Sequence, residues 1–470
     1  MKNLTCWLFL LGCAGASQAS ELAASDPVAV PSPVDEAKLR LQHWLPAQLD
    51  WLAQQQCQDE TCDAVPVSFS EGQFEPETTR ADQTILILDT DGMDFMATLP
   101  YRHRVRAYLE FDAVLGHLAE RQAEVTVPAY LQELYQRLRQ FRQSDALHGF
   151  IPAAWLAPLQ QQIDRLSPYA AMSYTGHGSI ALGYLAEHNP QAEFVLTLLP
   201  DFASLYQAEF CAADIAAFRQ RISQASAHFR QQVLMQYDVE WINFSAGFDL
   251  QRTIQMSAQR LCQTPFTLQQ QQQLLQAYQP FYQMLFTHPT ALAVQAGVVN
   301  YKPGQHALDT LAFAHRIRAG FFNTGTQLSS LQSDGQPKPG QVLPALPSYQ
   351  ANSLDVLDVL INFSFRGVGS RCEPGRYSYQ IPTDFGMGYE ALCSQQTSWA
   401  APQVLSRLIE LKVAQWPNLS AGPQLFTELK RLLTPQLCVP NELAGLQPCK
   451  LQDPLQYQQH QVFSMGFLQL

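Results

Sequence analysis

Cationic side chains are scarce in this sequence. Lysine and arginine together number 29 against 41 aspartates and glutamates, a formal charge of −12. Phosphate backbones are held by clustered cations, so this balance argues against a nucleic-acid partner. Long apolar runs are missing too. The one at the N-terminus, Leu4 to Leu11, falls short of the roughly 20 residues a bilayer-spanning helix needs, so no membrane span is expected. Neither Cys-x-x-Cys nor His-Glu-x-x-His occurs. Those spacings set tetrahedral ligands around zinc, and without them no metal site and no cofactor is expected.

What is present begins with an export signal over residues 1–19. Lys2 supplies the positive start, Leu4 to Leu11 the apolar core, and Ser17-Gln18-Ala19 a small-x-small cleavage site. The expected location is periplasmic or extracellular. Leu10-Leu11-Gly12-Cys13 also fits a lipoprotein cleavage box, the alternative in which the exported chain is anchored through Cys13. Eight cysteines follow the signal: Cys57, Cys62, Cys211, Cys262, Cys372, Cys393, Cys438 and Cys449. An even count in an exported chain suggests disulfides, and the shortest loops pair them as neighbours: 57–62, 211–262, 372–393 and 438–449.

Residues 20–81 read as a leader, helical over 37–53 through Leu41, Trp44, Leu45, Leu49 and Leu52, with Pro46 as an interruption. Ile85 to Leu88 is a continuous apolar run of the kind found in buried parallel strands, closed by Asp89-Thr90-Asp91-Gly92. Residues 104–166 read as a helical insertion, with one apolar face through Leu131, Leu134, Tyr135, Leu138 and Phe141. Gly176-His177-Gly178-Ser179 opens a further helix, and Phe194 to Leu199 is strand-like. Val239 to Gly247, Ala291 to Gly297 and Val356 to Ile361 add strands, and 251–287 reads as helical, its Gln269 to Gln273 tract a solvated helix face. Gln395 to Val404 is a polar, small-residue turn entering an apolar helical pattern, with Thr397 or Ser398 as cap and Pro402 in the first turn. That places Ser398 at a helix N-terminus, where unpaired N–H groups favour developing negative charge. Residues 416–470 form a short tail.

Each of these motifs has an ordinary reading: a serine cap, an Asp-Gly turn, a loop histidine between glycines. Together they resemble the subtilisin-like serine proteases (subtilases). Thr397-Ser398-Trp399-Ala400-Ala401-Pro402 resembles the family's Gly-Thr-Ser-x-Ala-Ala-Pro-His, with Gln396 in place of Gly and Gln403 in place of His. Asp89-Thr90-Asp91-Gly92 resembles Asp-Ser/Thr-Gly, with Asp91 where the family has Gly. His177-Gly178-Ser179-Ile180-Ala181-Leu182-Gly183 resembles His-Gly-Thr-His-Val-Ala-Gly with no gap, and Ile242-Asn243-Phe244-Ser245-Ala246-Gly247 resembles Ile-Asn-x-Ser-Leu-Gly. The order Asp, His, Ser is that of subtilisin.

The resemblance implies an α/β, subtilisin-like three-layer sandwich, its central sheet mostly parallel with helices on both faces, over residues 82–415. It implies a catalytic triad of Asp89, His177 and Ser398, with Ser245 and Gly247 lining the substrate cleft. The family's oxyanion asparagine falls at Val298, so either a bulge brings Asn300 into that role or the side-chain donor is missing. The implied partner is a polypeptide substrate of a monomeric endopeptidase; structural calcium is a family option that the sequence does not indicate. Three other readings stay open: a pseudoprotease that binds polypeptide, a purely structural exported protein, and an α/β-hydrolase using Ser245 in a near Gly-x-Ser-x-Gly setting.

Overall fold

The run Ile85-Leu86-Ile87-Leu88 becomes the middle of β1 (Thr84–Asp89), and all six residues of that strand are buried. A computed structural model describes residues 33–55, 64–68, 74–90, 99–112, 117–121, 124–143, 153–166, 176–247, 250–298, 310–322, 356–362, 379–382, 389–392 and 397–432. Around β1 the chain adds β2 (Val105–Asp112), β3 (His117–Glu120), β4 (Glu193–Leu198), β5 (Trp241–Phe244), β6 (Leu292–Ala296), β7 (Arg316–Phe322) and β8 (Val359–Asn362). They form one sheet in the order β8-β7-β6-β5-β1-β4-β2-β3. Every neighbouring pair is parallel except β2 with β3, which closes one edge antiparallel. Parallel neighbours cannot be joined by a tight hairpin, and the described crossovers from β4 to β5 and from β5 to β6 run through helices.

Successive side chains in a strand point to opposite faces, and here both faces are buried. Ile85 and Ile87 enter one core with Phe194, Leu196, Trp241, Leu292 and Val294. This core is covered by α1 (Pro33–Ala53), α2 (Ala129–Gln143), α3 (Ala157–Leu166), α4 (His177–His188), α9 (Thr397–Gln415) and α10 (Pro423–Leu432). Leu86, Leu88, Val195, Ile242, Phe244 and Ala293 enter the other, under α5 (Ile215–Phe229), α6 (Leu250–Leu261), α7 (Leu268–Ala277) and α8 (Gln279–Phe286). The expected three-layer α/β sandwich with a mostly parallel sheet is the one observed.

Two expectations are corrected. Residues 104–166 are not helical throughout: β2 and β3 belong to the main sheet, and helix begins only at Ala129. Apolar residues recur there at every second position, Val105, Ala107, Leu109 and Phe111, which is a strand period. In the leader, α1 runs straight through Pro46. Its apolar face is held by tertiary contacts that outweigh one lost hydrogen bond: Trp44 lies 5.1 Å from Phe141 and the Arg137 guanidinium sits 4.2 Å over Trp51. Leader strand Ala64–Ser68 pairs antiparallel with Glu124–Pro128, so leader and insertion pack together.

Of the expected disulfides, Cys211–Cys262 is present and ties a short helix, Gln207–Cys211, to the end of α6. The other three pairs lie outside the described residues. Gln270 of the Gln-rich stretch completes a capping box with Thr267 at the start of α7.

Candidate active site

Parallel strands deliver their carboxyl ends to one edge, and β1 ends there on Asp89, which is fully buried. Asp89 shares the face of Ile85 and Ile87, beneath α4 and α9. Ile87 pairs with Asn243 on β5, so two residues further along both strands Asp89 and Ser245 reach the same edge on the same face.

The chain enters α4 through Gly176 at φ 80°, a conformation that a side chain disfavours, and His177 is the first residue of the helix. Its Nδ1 lies 2.9 Å from both carboxylate oxygens of Asp89. A carboxylate only accepts, so this contact takes an N–H from Nδ1, and Nε2 faces away from Asp89.

Helix α9 packs on α4 and against β6 and β7. It starts at Thr397, which makes Ser398 its second residue and Pro402 its sixth. The expectation that Pro402 lies in the first turn is therefore corrected. A proline there removes the N–H that would bond the carbonyl of Ser398, four residues back. Ser245 supplies a donor instead: its Oγ lies 3.0 Å from Ser398 O and itself accepts from Asn243 Nδ2 at 2.8 Å. The next residue, Trp399, is buried with its ring centroid 4.5 Å from that of His177. Ser398 is half-buried between these two anchors. Among the described residues His177 makes no hydrogen bond to Ser398 Oγ.

Ser245 is 2% exposed and its hydroxyl is engaged on both sides, so the hydrolase reading that makes it a nucleophile is set aside. Gly247 is exposed just beyond β5. A Cβ there would meet Ala296 O at 2.7 Å and the Gly297 carbonyl at 2.9 Å, so only glycine lets the chain run this close to the end of β6. Val298 is described and half-buried; Asn300, Asp91 and Gln396 lie outside the described residues. Gln403 is fully buried in α9. Among the described residues no group of three or more His, Cys, Asp or Glu side chains could hold a metal ion, and no helix is long and apolar enough to cross a membrane.

A perturbed carboxyl group lies at the other end of the sheet. Burial pushes the Glu240 carboxyl up to about 7, partly opposed by Lys412. Lys412 is fourteen positions after Ser398 on α9, about 21 Å along the helix axis.

Sheet order and layering describe a three-layer α/β sandwich around a mostly parallel sheet. No family model and no curated protein matches the chain. Solved structures similar to it are Sphericase, at 13% identity over 76% of this chain and 86% of that one, with a TM-score of 0.34. A lanthipeptide protease follows at 12% identity over 77% and 83%, TM-score 0.34. Pseudomonas sedolisin, a serine-carboxyl proteinase, is similar at 12% identity over 78% and 88%, TM-score 0.34. At that distance these neighbours are a likeness only.

Two elements of the site escape sequence reasoning: the Asn243–Ser245–Ser398 chain and the Trp399–His177 contact. The proline four residues after Ser398 is the one sequence signal for the first.

Proposed function

We propose that this chain is an exported serine endopeptidase in which Asp89, His177 and Ser398 act as the triad. The observation that carries the reading is the buried Asp89 carboxylate bound through both oxygens to His177 Nδ1 at 2.9 Å, beside a serine in the first turn of an adjoining helix. In the proposed reaction His177 Nε2 takes the proton of Ser398 Oγ as that oxygen bonds to a peptide carbonyl carbon. The Asp89 carboxylate stabilises the resulting imidazolium. The amide C–N bond breaks, the imidazolium gives its proton to the departing amine, and water then repeats the sequence to free the acid and restore Ser398. The N–H of Ser398, near the positive end of α9, donates to the oxyanion. Substrate lies extended past Ser245-Ala246-Gly247, adding a strand at this edge.

A second reading, a pseudoprotease that binds polypeptide, is favoured by Val298 in the family's oxyanion position and by the lack of a described Ser398–His177 hydrogen bond. A fluorophosphonate probe separates the two. The protease reading expects labelling that maps to Ser398 and vanishes in Ser398→Ala. Folded wild-type protein that resists the probe supports the pseudoprotease.

A further inference from the structure

Ser245 stands where the resemblance puts a substrate-binding residue, yet its hydroxyl is already committed. Ser398 O can only accept, so Ser245 must spend its proton there, and its oxygen is left to accept from Asn243 Nδ2. That leaves no hydrogen on Ser245 Oγ for a substrate. The need for this donor arises four residues beyond the nucleophile. In a regular α-helix Ser398 O would receive the N–H of residue 402, and residue 402 is proline.

We infer that Ser245 is a positioning residue for the nucleophile, its hydroxyl replacing the N–H that Pro402 lacks. The inference rests on the serine-protease reading. The carbonyl left open by Pro402 is bonded sideways, to the chain leaving β5, rather than along the helix axis. The first turn of α9 is thereby latched to the sheet that carries Asp89. Asn243, fully buried on the same face, sets the direction of the latch. A serine held in this way keeps both Oγ and its own N–H aimed, which matters because small misplacements of reacting groups cost large factors in rate.

The pairing predicts a rescue. Ser245→Ala removes the donor; Pro402→Ala returns a backbone N–H to the same carbonyl from within the helix. Ser245→Ala should lower kcat on a peptide substrate about tenfold with KM held within about twofold, the pattern of lost aim rather than lost binding. Ser245→Thr, which keeps the hydroxyl, and the double variant Ser245→Ala/Pro402→Ala should both return kcat to within about threefold of wild type. A raised KM with unchanged kcat in Ser245→Ala makes Ser245 a substrate contact and overturns the inference. So does a double variant as slow as Ser245→Ala. Amide hydrogen exchange at Ala401 and Gln403–Leu405 reports on the same turn without turnover: it should quicken in Ser245→Ala and slow again in the double variant, and unchanged exchange overturns the latch. If the wild-type protein neither cleaves peptide nor reacts with the fluorophosphonate, the protease reading fails alone and the exchange result still decides the latch.

Discussion

The two ends of the central sheet use the same residue types to different effect. At the carboxyl end a fully buried aspartate faces an imidazole. At the amino end carboxylates face permanent cations. Asp82 is bound by Arg80 at 2.7 Å and by the buried Lys412 at 3.1 Å, while Glu193 accepts from Arg106 and Thr79. Burial alone would push the Asp82 carboxyl up, but the hydrogen bonds from Arg80 and Lys412 hold it below its usual range. A carboxylate between fixed cations holds layers together; one opposite a histidine can serve a reaction. Ser398 and Lys412 put α9 in both regions at once.

The comparison is broken most severely at the carboxyl end. Asp89→Asn should cut kcat/KM on a peptide substrate by about 10⁴ through loss of the productive tautomer, with the melting temperature little changed. A control away from both ends comes next: replacing Cys211 and Cys262 by serine should lower stability by about 2–4 kcal/mol in denaturant titration and leave kcat alone, since the bridge lies under the opposite helical layer. Asp82→Ala removes the carboxylate hydrogen-bonded to the Lys412 ammonium, which is 2% exposed and keeps Glu240 as a nearby carboxyl, and should cost about 1–2 kcal/mol in the same titration, after allowance for the exposure of Asp82, without altering the kcat of the folded protein. A matching loss of kcat there would erase the distinction between the two ends. The smallest effect concerns Glu240. Its folded pKa is raised to about 7, so below its unfolded value near 4.5 the neutral acid costs nothing, and stability declines as pH rises from there through 7. Glu240→Gln should remove that decline, gaining about 1 kcal/mol at pH 8 after allowance for solvent screening and nothing at pH 4; thermal melts at the two pH values check it.

Much of the sheet was legible because its central strands are buried on both faces and so are written as unbroken apolar runs, as Ile85 to Leu88 and Phe194 to Leu199 show. β2 is harder to read because its period of two, Val105 to Phe111, is short-lived beside the strong helical face of Leu131 to Phe141. At the candidate site, Asp89 and His177 meet through a sheet edge and a helix N-terminus that local signals already marked. The latch between Ser245 and Ser398 spans 153 residues, and no local pattern encodes such a contact. Pro402 lies one turn later than its sequence signal suggests because the carbonyl it leaves open is served from another strand by Ser245, which is tertiary information.

The pairing of Ala64–Ser68 with Glu124–Pro128, and the seating of α1 on Phe141 and Arg137, bear on how the protein is made in the laboratory. A polypeptide started at residue 82, where the sequence suggests a peptidase boundary, would bare a strand edge and the aromatic contact surface of α2 together. Such edges invite chain-to-chain stacking, so recombinant material beginning near residue 33 should stay dispersed where the shorter form precipitates.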